Sequence, residues 1–304
     1  VRAVVVSVVC AIVAGTVAFA CAGPALLGTT NAPHGAFVDV AGVAVPLLVL
    51  LAGVCFAVNL LAFIPAYALH TERFYDLTGS LTFITVTTTA IICAPSPLTL
   101  RGQVAAVMVL VWTIRLGSFL FRRVMHDGGD GRFDTMKYSA PRFVIAWTLQ
   151  GLWVFLTALP ALMAITSPGA DIDVALVIGA VVWLCGFSIE VVADRQKRVF
   201  RRDPAMKGRF IQTGLWRFSR HPNYFGEITL WVGVTILASS TFVGLQWVAV
   251  ISPIFVAVLL TQISGIPLLT ERAEARFGSD PEYRAYVART SLLVPWPRRR
   301  PAQQ

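Results

Sequence analysis

Charge is what this chain has least of. Of 304 residues only 13% are Asp, Glu, Lys or Arg, against roughly 25% in an ordinary soluble domain. The shortage is also concentrated: no charged residue occurs in 3–38, 40–71, 77–100, 102–114, 143–170, 174–189 or 228–270. With 56% hydrophobic residues and a mean hydropathy of +0.71, these windows exclude a soluble enzyme and a disordered chain. Paired cysteines are missing as well. Cys10, Cys21, Cys55, Cys93 and Cys185 all lie inside apolar runs and read as small buried hydrophobes, which excludes a disulfide-stapled module. The four histidines have no ligand spacing and no Cys/His cluster exists, so no metal is expected. The apolar runs are continuous rather than alternating, which excludes a porin-like barrel. No internal repeat, P-loop or G-x-G-x-x-G is found, and no nucleic-acid partner is expected.

What is present is an all-α, polytopic membrane bundle. A spanning helix needs roughly 20 mostly apolar residues. Gly, Pro and charged punctuation divides the apolar runs into about eight transmembrane helices, near 4–27, 43–69, 77–94, 103–122, 143–166, 173–194, 225–240 and 245–268. The window 228–270 is too long for one helix and breaks at Ser239-Ser240-Thr241, with Gly244 just after. The first run exceeds the ~7–15 apolar residues of a signal peptide and reads as a retained span. With the N-terminus inside, 23 of the 25 basic residues fall in cytoplasmic segments, the asymmetry that the positive-inside rule demands. An even number of spans with both termini cytoplasmic follows. Arg101 is then an outside-loop residue and Arg115 stands within a span. The basic tail Arg298-Arg299-Arg300 is expected to touch anionic membrane lipids.

Ionisable groups inside spans are costly and point to function. Glu190, Asp194, Arg198 and Arg201 are spaced four, four and three residues apart and share a helical face. An amphipathic helix end with snorkelling arginines accounts for Arg198 and Arg201; it leaves Glu190, about one turn inside the apolar run, without a reason. The loop that follows carries Lys207, Arg220, His221, Asn223 and Tyr224, and Glu227 opens the next apolar run. Pro222 and Asn223 are good helix-start residues, and a helix N-terminus beside arginines makes an anion site. Topology alone asks for a basic loop but not for His221, Asn223, Tyr224 and Glu227 within seven residues. Arg115, seven residues from the end of its span, needs a partner or a ligand. The turn 70–76, ending in Tyr75 and Asp76, reads equally as a solvated turn or as part of a site.

These residues together resemble the steroid 5-alpha-reductase superfamily, and more narrowly its large bacterial branch of membrane proteins with a domain of unknown function. The similarity rests on Glu190-x3-Asp194-x-Gln196-Lys197, Phe200-Arg201, Lys207-Gly208-Arg209-Phe210-Ile211 and Gly214-Leu215-Trp216-x2-Ser219-Arg220-His221-Pro222-Asn223-Tyr224-Phe225-Gly226-Glu227. It continues through Ser252-Pro253, Ser264-Gly265-Ile266-Pro267, Glu271, Tyr283-x2-Tyr286-x3-Thr290 and Pro295, with Arg115-Leu116-Gly117 and Asp130-x-Arg132-Phe133 upstream. It covers most of 100–297. The resemblance implies membrane spans in 1–100 on the substrate side and a reductase-like domain in 101–304 whose cytoplasmic loops hold NADPH. It implies cofactor-binding roles for Arg115, Glu190, Asp194, Arg198, Arg201, Lys207, Arg220, His221, Asn223, Tyr224, Glu271, Arg272 and Tyr283, and a multi-pass protein of the bacterial inner membrane. The chain departs from the steroid enzymes in three ways: the animal reductases have Asn where this chain has Glu190, their carbonyl-activating tyrosine falls near Trp112, and 43–69 contains no acid. A proton donor must come from elsewhere, with Glu227, Tyr75 and Asp76 as catalytic candidates and Tyr67 beside them.

Three functions compete. The first is NADPH-dependent reduction of an activated C=C bond in a lipophilic small molecule, isoprenoid or sterol-like, which needs a positioned hydride and an acid. The second is S-adenosylmethionine-dependent lipid or isoprenyl methyl transfer, because the related integral-membrane methyltransferases share Arg220-His221-Pro222-x-Tyr224. The sulfonium is a cation, and the nine basic residues of 195–220, where Asp203 is the one acid, suit polyanionic NADPH better. The third is non-catalytic, a transporter or assembly factor; the repeated halves and discontinuous helices of secondary transporters are missing.

Overall fold

The computed structural model describes residues 2–22, 37–94, 96–127, 129–167 and 172–297. Helix α1 (Arg2–Cys21) precedes a hairpin of β1 (Phe37–Val40) and β2 (Val43–Pro46). Then come α2 (Leu47–Ala68), α3 (Tyr75–Cys93), α4 (Leu100–Asp127), α5 (Ala140–Thr166), α6 (Val174–Arg202) and α7 (Pro222–Ser239). A 3-10 segment, Gly244–Val250, leads into α8 (Ile251–Val258), a π-helical stretch Leu259–Ile263, α9 (Ile266–Phe277) and α10 (Pro281–Arg289).

Seven helices among the described residues are long and apolar enough to cross a bilayer, the last being the composite Gly244–Phe277. The protein is a polytopic helical membrane bundle. The remaining expected span, α7, falls short of that standard because Asn223, Tyr224 and Glu227 occupy its first turns. The break expected at Ser239-Ser240-Thr241 is where α7 ends. Positions 23–27 of the first expected span and the tail 298–304 lie outside the described residues.

Three expectations are corrected. Of the five cysteines expected to be buried, Cys10, Cys21 and Cys55 are, but Cys93 is half-buried and Cys185 is exposed, a place that a small apolar side chain on a membrane helix tolerates. The run from 43 does not begin as helix: Val43–Pro46 pairs antiparallel with Phe37–Val40. The two-residue turn has Ala41 at φ 53° and Gly42 at φ 82°, the left-handed geometry that matches strand twist in tight hairpins. Asp39 Oδ1 accepts from the Gly42 N–H at 2.9 Å and steadies it. Arg101 is not a loop residue. It sits in the first turn of α4, 1% exposed, bonded to Asp173 at 2.8 Å and to the Leu237 carbonyl. A guanidinium is buried only when its charge and its donors are both answered. Asp173 also accepts from the Leu176 N–H at 2.8 Å. Burial opposes its ionisation, but that bond and Arg101 hold its carboxyl down at about 2.

The chain forms two compact units, Val1–Ile178 with Val234–Ser252, and Gly179–Gly233 with Pro253–Gln304. In the first, α5 is the central helix and packs against α1, α2, α3 and α4. It is apolar all round, as a helix enclosed on every side must be. α1 turns a stripe of small residues inward, Ala3, Cys10, Ala14, Ala18 and Cys21, and leaves Val4, Val8, Ile12 and Phe19 exposed. Small residues let helices approach where lipid gives no hydrophobic push. Polar pairs add register: Ser7 Oγ to Thr148 Oγ1 at 3.1 Å and Asn59 Nδ2 to Thr82 Oγ1 at 3.1 Å.

Candidate functional site

Within the second unit, α6 from Gly179 onward and α7 up to Gly233 run in backbone contact. A methyl group on Gly226 would stand 2.6 Å from the Glu190 nitrogen and 2.7 Å from the Gly186 carbonyl oxygen; one on Gly233 would stand 2.5 Å from the Trp183 nitrogen. This approach sets Glu190, 1% exposed, against the first turns of α7. Asp194, one turn further along α6, is buried too, whereas Arg198 and Arg201 are exposed.

The loop between these helices is held by the chain that follows α10. At Gly214, where φ is +59°, the backbone turns through a conformation that a side chain would strain. The next N–H, from Leu215, donates to Gln196 Oε1 at 2.9 Å, and Trp216 Nε1 donates to the Ala193 carbonyl at 3.1 Å. Lys197 Nζ lies over the Trp216 ring at 4.6 Å. From the other side, the Tyr286 hydroxyl donates to the Trp216 carbonyl at 2.8 Å. Ser219 Oγ donates to Leu293 O at 2.6 Å, the Arg220 N–H to Ser291 O at 2.8 Å, and the Trp296 N–H to Phe218 O at 3.1 Å. Phe210 seals the base among Phe277, Tyr283 and Tyr286. Tyr283 is thus part of an aromatic core; burial, then Glu274, pushes its phenol up.

His221 ends this loop. Its N–H donates to Ser219 Oγ at 3.1 Å, and its ring lies parallel to Tyr224, centroids 5.5 Å apart. Burial, followed by the charges of Lys197 and Arg220, drives its pKa down to about 3, so the imidazole is neutral at pH 7. His221 Nδ1 and Arg220 Nε are both buried and have no hydrogen-bond partner. Asn223, Tyr224 and Glu227, on the first turns of α7, are half-buried. Buried polar atoms without partners are uncommon in folded proteins. Here two of them meet a helix N-terminus and a basic loop, a combination whose chemistry suits an anion.

The first unit holds a separate polar cluster. Tyr75 donates from its hydroxyl to the Ala146 carbonyl at 2.9 Å, and its ring packs on Phe133 and Trp147. Asp76 faces Arg123 at 3.6 Å and Arg132 at 3.7 Å. Arg132 also grips Asp130 at 2.6 Å. Glu72, 5% exposed, accepts from Lys137 Nζ at 2.9 Å and from the Asp130 N–H at 3.1 Å. Burial works against its charge, but these bonds outweigh it and keep the carboxyl below its ordinary range.

Residues 62–290 match the model of a family described as a protein of unknown function, DUF1295. The chain belongs to the DUF1295 family. Neither a curated protein nor a solved structure matches it. The DUF1295 match starts inside α2 and ends at Thr290, so it takes in both polar clusters and the hydrogen bond from Tyr286 to Trp216.

The residues singled out from the DUF1295 sequence divide between the two units. Glu190, Asp194, Arg198, Arg201, Lys207, Arg220, His221, Asn223, Tyr224, Glu227, Glu271, Arg272 and Tyr283 belong to the second, and Tyr75, Asp76 and Arg115 to the first. Arg115 is half-buried, with its guanidinium over the Phe119 ring at 5.7 Å, and Tyr67 stacks on Phe63. Lys207, Glu271 and Arg272 are exposed. Glu72 lies in the turn 70–76 weighed from the sequence but is not singled out there, and Lys137 is not found at all. Their signal, an acid beside an aromatic turn and a base 65 residues on, has no local period to find it by.

Proposed function

We propose that this DUF1295 protein is a membrane-embedded NADPH-dependent reductase of an activated C=C bond in a lipophilic substrate, with the 195–220 loop facing the cytoplasm of a bacterial cell. The observation that carries this reading is the pair of buried, unpartnered polar atoms, Arg220 Nε and His221 Nδ1, in a basic loop at the start of α7. The residues fit the cofactor's chemistry. Arg198, Arg201, Lys207 and Arg220 would neutralise its phosphates by charge-assisted hydrogen bonds, and Asn223 can pair with an amide or adenine edge. The chemistry NADPH would supply when bound is a hydride for the β-carbon of the activated alkene, with NADP⁺ as the oxidised product. The alkene electron pair then collects on the α-carbon, which takes one proton from an acid. Glu227 is assigned as that donor, since it lies in the same unit as the loop and the Tyr75 hydroxyl is already committed to Ala146. His221, kept neutral, orients by hydrogen bonding without adding charge.

Methyl transfer from S-adenosylmethionine is the rival reading. The sulfonium is cationic, and the charges of Lys197 and Arg220 already act on His221, which disfavours a further positive group there. Thermal unfolding of the detergent-purified protein, titrated with either nucleotide, separates the two. NADPH should raise the midpoint at micromolar concentrations; Arg201→Ala should weaken that effect about tenfold, the loss of one charge-assisted bond, and Asn223→Ala about fivefold, the loss of one neutral bond. Stabilisation by S-adenosylmethionine alone would transfer the protein to the methyltransferases; stabilisation by neither would remove the nucleotide reading.

A further inference from the structure

The first unit holds a partly open cavity that the proposed reduction does not use. It lies among α3, α4 and α5, with about 40 Å³ of space open to a water-sized molecule. A buried water needs roughly 10–15 Å³ by that measure, so the space takes about three waters, or the polar end of a larger molecule. Three aromatic rings form one wall: Phe83 meets Trp112 and Trp153 edge-on at 5.2 Å each.

The other wall is polar: the Ser80 hydroxyl there donates to the Asp76 carbonyl at 3.1 Å, but two buried polar atoms have no partner. Gln150, 5% exposed, donates from Nε2 to the Tyr75 carbonyl at 2.9 Å, while its Oε1 is buried without a partner. Thr113, 1% exposed, has an unpartnered hydroxyl. Asp76 contributes its carboxylate, whose two guanidinium neighbours stand at 3.6 and 3.7 Å, beyond good hydrogen-bond distance. Gly79 keeps this wall in place, because a side chain there would strike the Gln150 amide.

The wall is therefore rich in acceptors, and it calls for a donor. An anion is excluded by the same oxygens. A cation is disfavoured because the charge of Asp76 is already matched: Arg123 and Arg132 stand against Asp76 and Asp130. A neutral O–H remains, able to donate to Gln150 Oε1 or Asp76 while accepting from Thr113. Leu116, Leu120 and Trp153, all half-buried on the cavity rim, leave an apolar side for a hydrocarbon chain. We infer that this cavity binds the hydroxyl end of a lipophilic alcohol. The inference stands on the first unit alone and does not depend on the nucleotide reading.

Bromine quenches tryptophan fluorescence on contact, and Trp112 and Trp153 line the cavity, so a bromine-tagged probe reports occupancy of the full-length protein in detergent. Bromoundecanol should quench saturably, and chain-matched bromoundecane, which lacks the hydroxyl, should bind at least about tenfold more weakly, as sites built around a hydroxyl reject analogues without one. Trp112→Phe should remove much of the saturable signal. Thr113→Val keeps the shape and deletes the orphaned hydroxyl; it should raise the unfolding temperature of the ligand-free protein yet weaken the alcohol about fivefold, the loss of one hydrogen bond. A purely structural threonine would not move the two readouts in opposite directions. Equal quenching by alcohol and alkane, an unchanged alcohol affinity in Thr113→Val, or full quenching in Trp112→Phe would each overturn the assignment.

Discussion

A single methyl group placed between α6 and α7 tests the framework on which the second-unit site is built. In Gly226→Ala the new carbon would stand 2.6 Å from the Glu190 nitrogen, 2.7 Å from the Gly186 oxygen and 3.0 Å from the Glu190 α-carbon. Every one of these is backbone, so no side chain can swing aside. Ordinary contact begins at 3.4 Å, and the helices must part by about 0.8 Å to reach it. Overpacking of this kind costs roughly 1–3 kcal/mol, and with rigid backbone on three sides the upper half of that range applies. Alanine is the better helix former by about 1 kcal/mol, which offsets part of the loss. The net expectation is a destabilisation of about 1–2 kcal/mol. Gly186→Ala meets the Leu230 nitrogen, closer still, and the Gly226 oxygen at 2.7 Å, so the reciprocal methyl needs a parting of about 1 Å. One separation of the helices therefore accommodates both methyls, and the double variant should be less destabilised than the sum of the singles by about 1 kcal/mol. Unfolding by denaturing detergent, followed by tryptophan fluorescence, measures all three. A Gly226→Ala protein as stable as its parent would show that the two backbones are not in contact, and strict additivity would show that the two glycines do not face each other.

Two further outcomes follow from the loop. The ordinary histidine value of 6.5 falls to about 3 at His221, first through burial and then through Lys197 and Arg220. Below pH 6.5 the unfolded chain takes up a proton that the folded chain refuses, so stability is full above about pH 6.5 and drains away toward pH 3, by a few kcal/mol at most. His221→Phe, which keeps the ring stack on Tyr224, should flatten the fall in unfolding temperature between pH 7 and 4; an unaltered slope would mean that the buried imidazole is not its source. Tyr286→Phe deletes the bond to the buried Trp216 carbonyl, at a cost of about 1–2 kcal/mol, and should speed protease cleavage within 203–214 severalfold, whereas parental cleavage rates would show that the hydroxyl does not hold the loop.

Much of the architecture was readable from where charge is missing. Windows without a single Asp, Glu, Lys or Arg had to be spans, and the polar triplet at 239–241 had to be a break, because bilayer thickness and backbone satisfaction leave a chain few alternatives. The hairpin at 37–46 was not recognised because Val43–Pro46 merges into the apolar run of α2, and four alternating residues carry too little period to separate strand from helix. Arg101 was misplaced for another reason: its partners, Asp173 and Leu237, are 72 and 136 residues away, and no local pattern announces a buried ion pair. The site was half legible. Its residue types stood together between Gln196 and Glu227, but the clamp that shapes them comes from the Tyr286 hydroxyl and the Ser291 and Leu293 carbonyls, contacts across 70 or more residues that no local pattern marks.

That clamp has a consequence for how the protein is made. Trp216 and Ser219 are joined to residues synthesised 70 and 74 positions later. At translation speeds of roughly 5–20 residues per second, the segment around them waits about 4–14 s on the ribosome or in the translocon before its mates exist. During that interval the Trp216 carbonyl and the Ser219 hydroxyl can only bond to water or to a passing chaperone. This half of the protein is therefore finished after its helices have been threaded, by a late zipping of chain onto chain.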